Sequence, residues 1–134
     1  IHAFLTKRYG ESDNVRFAAS QAMGNVGNAI RLIEDEEYIR LNGIAEDIVK
    51  NADKLTEARL AFTFEKEKDG FDCLLDILEG KLFNAFRKDG GTRALLMLKA
   101  VQDASEDKKK NINSGLVAES LAYSLAKGGN KWQR

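Results

Sequence analysis

Apolar residues recur at intervals of three and four along the whole chain and nowhere alternate with polar ones over the length of a strand. That spacing is the signature of helices with one buried face. A first helix (Ile1, Phe4, Leu5) is expected to end near Tyr9-Gly10. Ser12 or Asp13 can cap a second, running to about Met23, with Val15, Ala18, Ala19 and Ala22 on one face. After Gly24 to Gly27 a third helix carries Ala29, Ile30 and Ile33. The acidic triplet Asp35-Glu36-Glu37 suits the positive end of a fourth, whose stripe is Leu41, Ile44, Ala45, Ile48, Val49 and Ala52. A fifth, from about Leu55 to Lys66, is expected to turn Ala58, Ala61 and Phe62 inward. The sixth is the most regular, with Phe71, Leu74, Leu75, Leu78, Leu82, Ala85 and Phe86, and stops at Asp89-Gly90-Gly91. Ala94, Met97, Leu98 and Val101 mark the seventh. The last, from about Ser114 to Lys127, is apolar round most of its circumference, and Gly128-Gly129-Asn130 would release a polar tail. The expected fold class is all-α, in short and tightly connected helices.

Composition narrows the class without naming a function. The chain has 134 residues, 43% hydrophobic and 31% charged, with 21 Lys and Arg against 21 Asp and Glu. This is a folded domain's balance, with enough length for a core and no net field to draw nucleic acid or an acidic membrane surface. No apolar run reaches the roughly 18 residues of a membrane span, and no signal peptide is visible. With the lone Cys73 and no Asn-x-Ser/Thr sequon, a cytoplasmic location is expected. The chain opens at Ile1 inside an apparent helix, so a C-terminal fragment of a longer protein is expected.

Signals for chemistry are sparse. Gly80-Lys81 lacks the glycine and the hydroxyl residue of a nucleotide-binding P-loop, and Lys81 reads as a surface lysine. His2 has no partner histidine or cysteine. Cys73, beside the stripe of the sixth helix, reads as a buried inert thiol. The acidic pairs near Asp35 and at Glu65 and Glu67 alternate with basic residues, as on solvated helix faces. Lys108-Lys109-Lys110 is the one basic run, following Glu106-Asp107. Trp132 lies in the polar tail.

Two segments carry a resemblance. Gly24-Asn25-Val26-Gly27-Asn28-Ala29 is similar to the turn that ends the lid of clamp-loader AAA+ ATPases, where a helix, a Gly-x-x-Arg or Gly-x-x-Gly turn and an Ala-rich helix follow one another. ATP-hydrolysing members have an arginine at the fourth position; here it is Gly27, and Arg31 falls a turn too late. A glycine there resembles the δ′ family of bacterial DNA polymerase III clamp-loader subunits. Asn111, Asn113, Leu116, Glu119 and Leu121 match that family's C-terminal Asn-x-Asn-x-x-Leu-x-x-Glu-x-Leu. Asn25 stands where the family usually has Ser, and Asn28 where Arg or Lys is common. Asn113 also reads as a helix N-cap on its own chemistry.

The resemblance implies that residues 1–36 end a lid subdomain and residues 37–134 form the helical collar. It implies partners, the γ/τ and δ subunits of a hetero-pentamer, with sliding clamp and primed DNA reached indirectly. It also implies no membrane, no cofactor and no reaction of the segment's own; zinc and arginine-finger features would precede Ile1. One flank of the last helix, including Tyr123, is expected at a subunit interface. Three other readings stay open on the sequence: the same region of γ/τ, a stand-alone helical regulator binding nucleic acid through Lys108 to Lys110, and an all-α enzyme fragment.

Overall fold

The computed structural model describes residues 1–22, 24–51, 54–110 and 112–131, with side chains through 127. Expectations for Met23, Ala52, Asn111 and Trp132 therefore lie outside the described residues. Those residues form eight α-helices and one 3-10 turn, and no strand. The helices are α1 (His2–Tyr9), α2 (Asp13–Gln21), α3 (Val26–Glu34), α4 (Glu36–Lys50), α5 (Glu57–Lys66), α6 (Phe71–Asp89), α7 (Thr92–Lys109) and α8 (Ser114–Lys131), the 3-10 turn being Lys68–Gly70. The fold is all-α. None of these helices is long and apolar enough to cross a membrane.

Short polar residues start several of the helices, while α1, α6 and α7 begin at Ile1, Gly70 and Gly91 with no side-chain cap. Ser12, Asn25 and Thr56 each accept a hydrogen bond from the backbone N–H three residues on, satisfying a donor that the helix start leaves unpaired. Asp35 does the same for Tyr38 at 3.1 Å. Gly90, in the left-handed conformation at φ 61°, closes α6. At the far end the helix outlasts its expected stop, because α8 continues through Gly128-Gly129 to Lys131.

The chain divides into two compact units within α4, residues 1–43 and 44–134. In the first, α1 packs on α2 and α2 on α3, and Leu5, Val15, Ala18, Ala22, Ala29 and Leu32 are buried. The alanines there leave no bulk between helices, which permits close approach. In the second, α6 packs on α7, α7 on α8, and α8 on α5. Its core includes Phe64, Phe71, Leu74, Leu75, Leu78, Val101, Leu121 and Leu125. The rings of Phe64 and Phe71 meet at 5.5 Å and 57°.

Three expectations need correction. The buried face of α5 is Leu60 and Phe64, while Ala58 is exposed and Phe62 is 70% exposed. Lys81 is buried at 8% exposure, with its ammonium on Glu46, rather than on the surface. Cys73 is half-buried instead of enclosed.

Candidate functional site

The α2–α3 turn has a simple physical account. Gly24 adopts φ 80°, a conformation that costs any residue with a Cβ roughly 1–2 kcal/mol. Nothing stands within 4 Å of where its Cβ would be. The glycine is therefore needed for backbone conformation and not for close helix approach. Asn25 then caps α3, its Oδ1 accepting from the Asn28 N–H at 3.0 Å. Gly27 lies inside the first turn of α3, and a Cβ on it would meet that same capping oxygen at 3.1 Å. Ala29 is buried. Arg31 is already engaged: its guanidinium lies 4.1 Å from the centre of the Tyr38 ring and 3.7 Å from Asp35.

The second segment joins α7 to α8. Ile112 N–H donates to the Asp107 carbonyl at 3.1 Å, closing α7. Asn113 Oδ1 accepts from the N–H groups of Gly115 at 2.8 Å and Leu116 at 3.3 Å, the N-cap that its chemistry suggested. Asn111 lies outside the described residues. On α8, Leu121 is buried, as are Val117, Ala122, Leu125 and Ala126. Leu116, Glu119 and Tyr123 all face outward, so this helix is apolar inward and mixed outward. The Tyr123 ring carries the Lys127 ammonium 5.5 Å from its centre, with the hydroxyl 3.5 Å from that nitrogen.

The basic run is partly occupied. Lys108 donates to Ser114 Oγ at 2.7 Å and lies 3.6 Å from Asp72, so one of its three charges is spent within the fold; Lys109 and Lys110 are exposed. A groove of about 270 Å³ runs between α7 and α8. One wall carries Asp103, Glu106 and Asp107, the other Ser120 and Ser124. The acidic wall was missed in the sequence, although its i, i+3, i+4 spacing puts all three carboxylates on one side of a helix.

Among the described residues the chemistry-bearing side chains are not brought together. His2 pairs with Glu11 at 3.2 Å on the surface, and no group of His, Cys, Asp and Glu among the described residues could hold a metal ion. The lysine that follows Gly80 is bound to Glu46 at 2.7 Å. Comparison with known protein families, curated proteins and solved structures finds no match.

Proposed function

We propose that this chain is the assembly region of a clamp-loader subunit of the δ′ kind. In this reading residues 1 to about 36 end an AAA+ lid. Residues 37–134 are a collar that holds γ/τ and δ subunits in a pentamer, and sliding clamp and primed DNA are reached through that assembly. The chain itself carries out no reaction and takes no cofactor.

The observation that carries the reading is Gly27. It follows the left-handed Gly24 and the Asn25 cap, within the first turn of α3. ATP-hydrolysing members of the resembling family have an arginine at that point of the turn. Here no side chain exists to meet a phosphate, and Arg31 one turn on is committed to Tyr38 and Asp35. An inactive subunit fits that substitution better than a motor subunit such as γ/τ. The outward Leu116 and Tyr123 on α8 add a surface on which a neighbouring subunit could pack.

The test is reconstitution. The protein that contains this chain is mixed with γ/τ and δ from the same source and separated by size with light scattering. A five-subunit mass, together with clamp loading on primed DNA, is the expected result. Elution of the protein by itself at micromolar concentration of all components would overturn the reading.

A further inference from the structure

The exposed side of α8 and the groove beside it hold more chemical information than the assembly reading uses. Leu116 is 62% exposed and Tyr123 50%. Being seven residues apart they lie on one side of the helix, and the 41%-exposed Ile112 lies in the turn just before it. Ser120 and Ser124 lie between this stripe and α7, where they form one wall of the groove. Ala100 and Ala104 floor it, and Asp103, Glu106 and Asp107 form the far wall.

Those carboxylates stand close together without a direct cation contact. Among the described residues none of the three is in ion-pair or hydrogen-bond contact with a cation. Lys99 and Lys109 on α7, and Lys110 just beyond its end, do not line the groove, and Lys108 is turned to Asp72 and Ser114. Like charges at this spacing destabilise a helix by roughly 0.2–0.5 kcal/mol per pair. An apolar stripe bordered by such a wall is complementary to a surface that is apolar along its centre and basic along one edge.

We propose that this face binds an amphipathic helix of another protein chain. The apolar stripe of that helix lies on Leu116 and Tyr123, and its arginine or lysine side chains enter the groove against Asp103, Glu106 and Asp107. The inference rests on reading α8 as an assembly surface and is independent of which assembly it serves. A nucleic acid is disfavoured here, because its phosphates would face the acidic wall.

Two fluorescein-labelled helical peptides of about 18 residues, or five turns, test it. Both carry the same leucine stripe; one is flanked by arginines and the other by glutamates. Anisotropy titrations into the chain should show the arginine peptide bound at least about tenfold more tightly. In the combined variant Asp103→Asn, Glu106→Gln, Asp107→Asn the two peptides should bind within about twofold of each other, with a melting temperature no lower than that of the unaltered chain. Leu116→Ser should weaken both. Equal affinity for the unaltered chain, or an arginine preference that survives the combined variant, overturns the proposal. Clamp-loader assembly without peptide preference would remove this inference and leave the proposed function. Preference for the arginine peptide without clamp-loader assembly would do the reverse.

Discussion

The ammonium of Lys81 donates a 2.7 Å hydrogen bond to Oε2 of Glu46, joining α6 to the C-terminal half of α4. Lys81 is 8% exposed and Glu46 33%, so the pair is shielded on one side and open on the other. That hydrogen bond is the main reason the Glu46 carboxyl is held below its ordinary value, with Lys50 adding to it and burial opposing.

The first prediction follows from that shift. A carboxyl whose folded pKa lies below its unfolded one stabilises the fold fully above the unfolded value, about 4.5, and loses that contribution as pH falls through the folded one. Glu46→Gln should cost about 1–2 kcal/mol at pH 7 and clearly less at pH 3. Thermal melts of both proteins at both pH values measure this, and equal losses at the two pH values would refute it. Lys81→Met, which keeps the volume, should cost less than Lys81→Ala, which leaves both a cavity and an unpaired carboxylate.

The second prediction concerns the two phenylalanines of α5. Phe64 is 1% exposed and meets Phe71, so Phe64→Ala should cost about 3–5 kcal/mol. Phe62 is 70% exposed, and Phe62→Ser should change stability by less than about 0.5 kcal/mol. Urea unfolding of each variant decides between this face and the one first expected from the sequence.

The same pair shows what the sequence can and cannot reveal. On α6 the apolar positions outnumber the alternatives, and Phe71, Leu74, Leu75, Leu78 and Leu82 are buried as their spacing predicts. On α5 the run Leu60-Ala61-Phe62-Thr63-Phe64 offers two apolar faces, and packing on α8 selects one of them. Caps are legible because the interaction is local: Ser12 and Asn113 bond to N–H groups three residues away or fewer. The Lys81–Glu46 pair spans 35 positions and leaves no local trace. The groove needs α7 and α8 side by side, so its acids look like a solvated face until the neighbour is placed. The turn at Gly24 was legible as a turn that uses glycine's backbone freedom, while the positive φ with open space around it, rather than close packing, was not.

The third prediction separates two glycines with equally open surroundings. A Cβ would meet nothing within 4 Å at Gly24 or at Gly43. Gly24 has φ 80°, so Gly24→Ala should destabilise by about 1–2 kcal/mol. Gly43 sits within α4, where Gly43→Ala should stabilise by about 0.4–1 kcal/mol, chiefly by restricting the unfolded chain. Opposite signs in paired thermal melts are the expected result.

A fourth prediction addresses polyanions. On the proposed reading Gly27 stands where ATP-hydrolysing clamp-loader subunits carry arginine, and Lys81 is committed to Glu46, so calorimetric titration with ATP and magnesium should give no heat below millimolar. Duplex DNA should bind poorly as well, since Lys108 is spent on Ser114 and Asp72. Three phosphate contacts would give a log–log salt slope of roughly −3. Micromolar DNA binding with that slope, abolished when Lys108, Lys109 and Lys110 are changed to alanine, would refute this expectation and favour a nucleic-acid-binding role.

The last prediction separates folding from assembly on α8. Tyr123 is 50% exposed, and within the chain its polar contact is Lys127. The neighbouring positions Ala122, Leu125 and Ala126 are all buried, so the helix is anchored without it. Tyr123→Asp removes an exposed ring and adds a charge that Lys127 four residues on can balance, an effect on stability within about 1 kcal/mol. At an interface the same change would remove an aromatic anchor and add a desolvated carboxylate one helical turn from Glu119, a loss of about 2 kcal/mol or more. If the proposed assembly reading holds, the expected outcome is a melting temperature within a few degrees of the unaltered protein and a clear drop in pentamer on a sizing column with γ/τ and δ. Leu116→Ser should act in the same direction, being on the same flank, whereas Leu121→Ala should lower the melting temperature by creating a core cavity worth about 2–5 kcal/mol. If Tyr123→Asp unfolds the protein, the ring belongs to the core. If it alters neither melting nor assembly, this flank of α8 is not an interface.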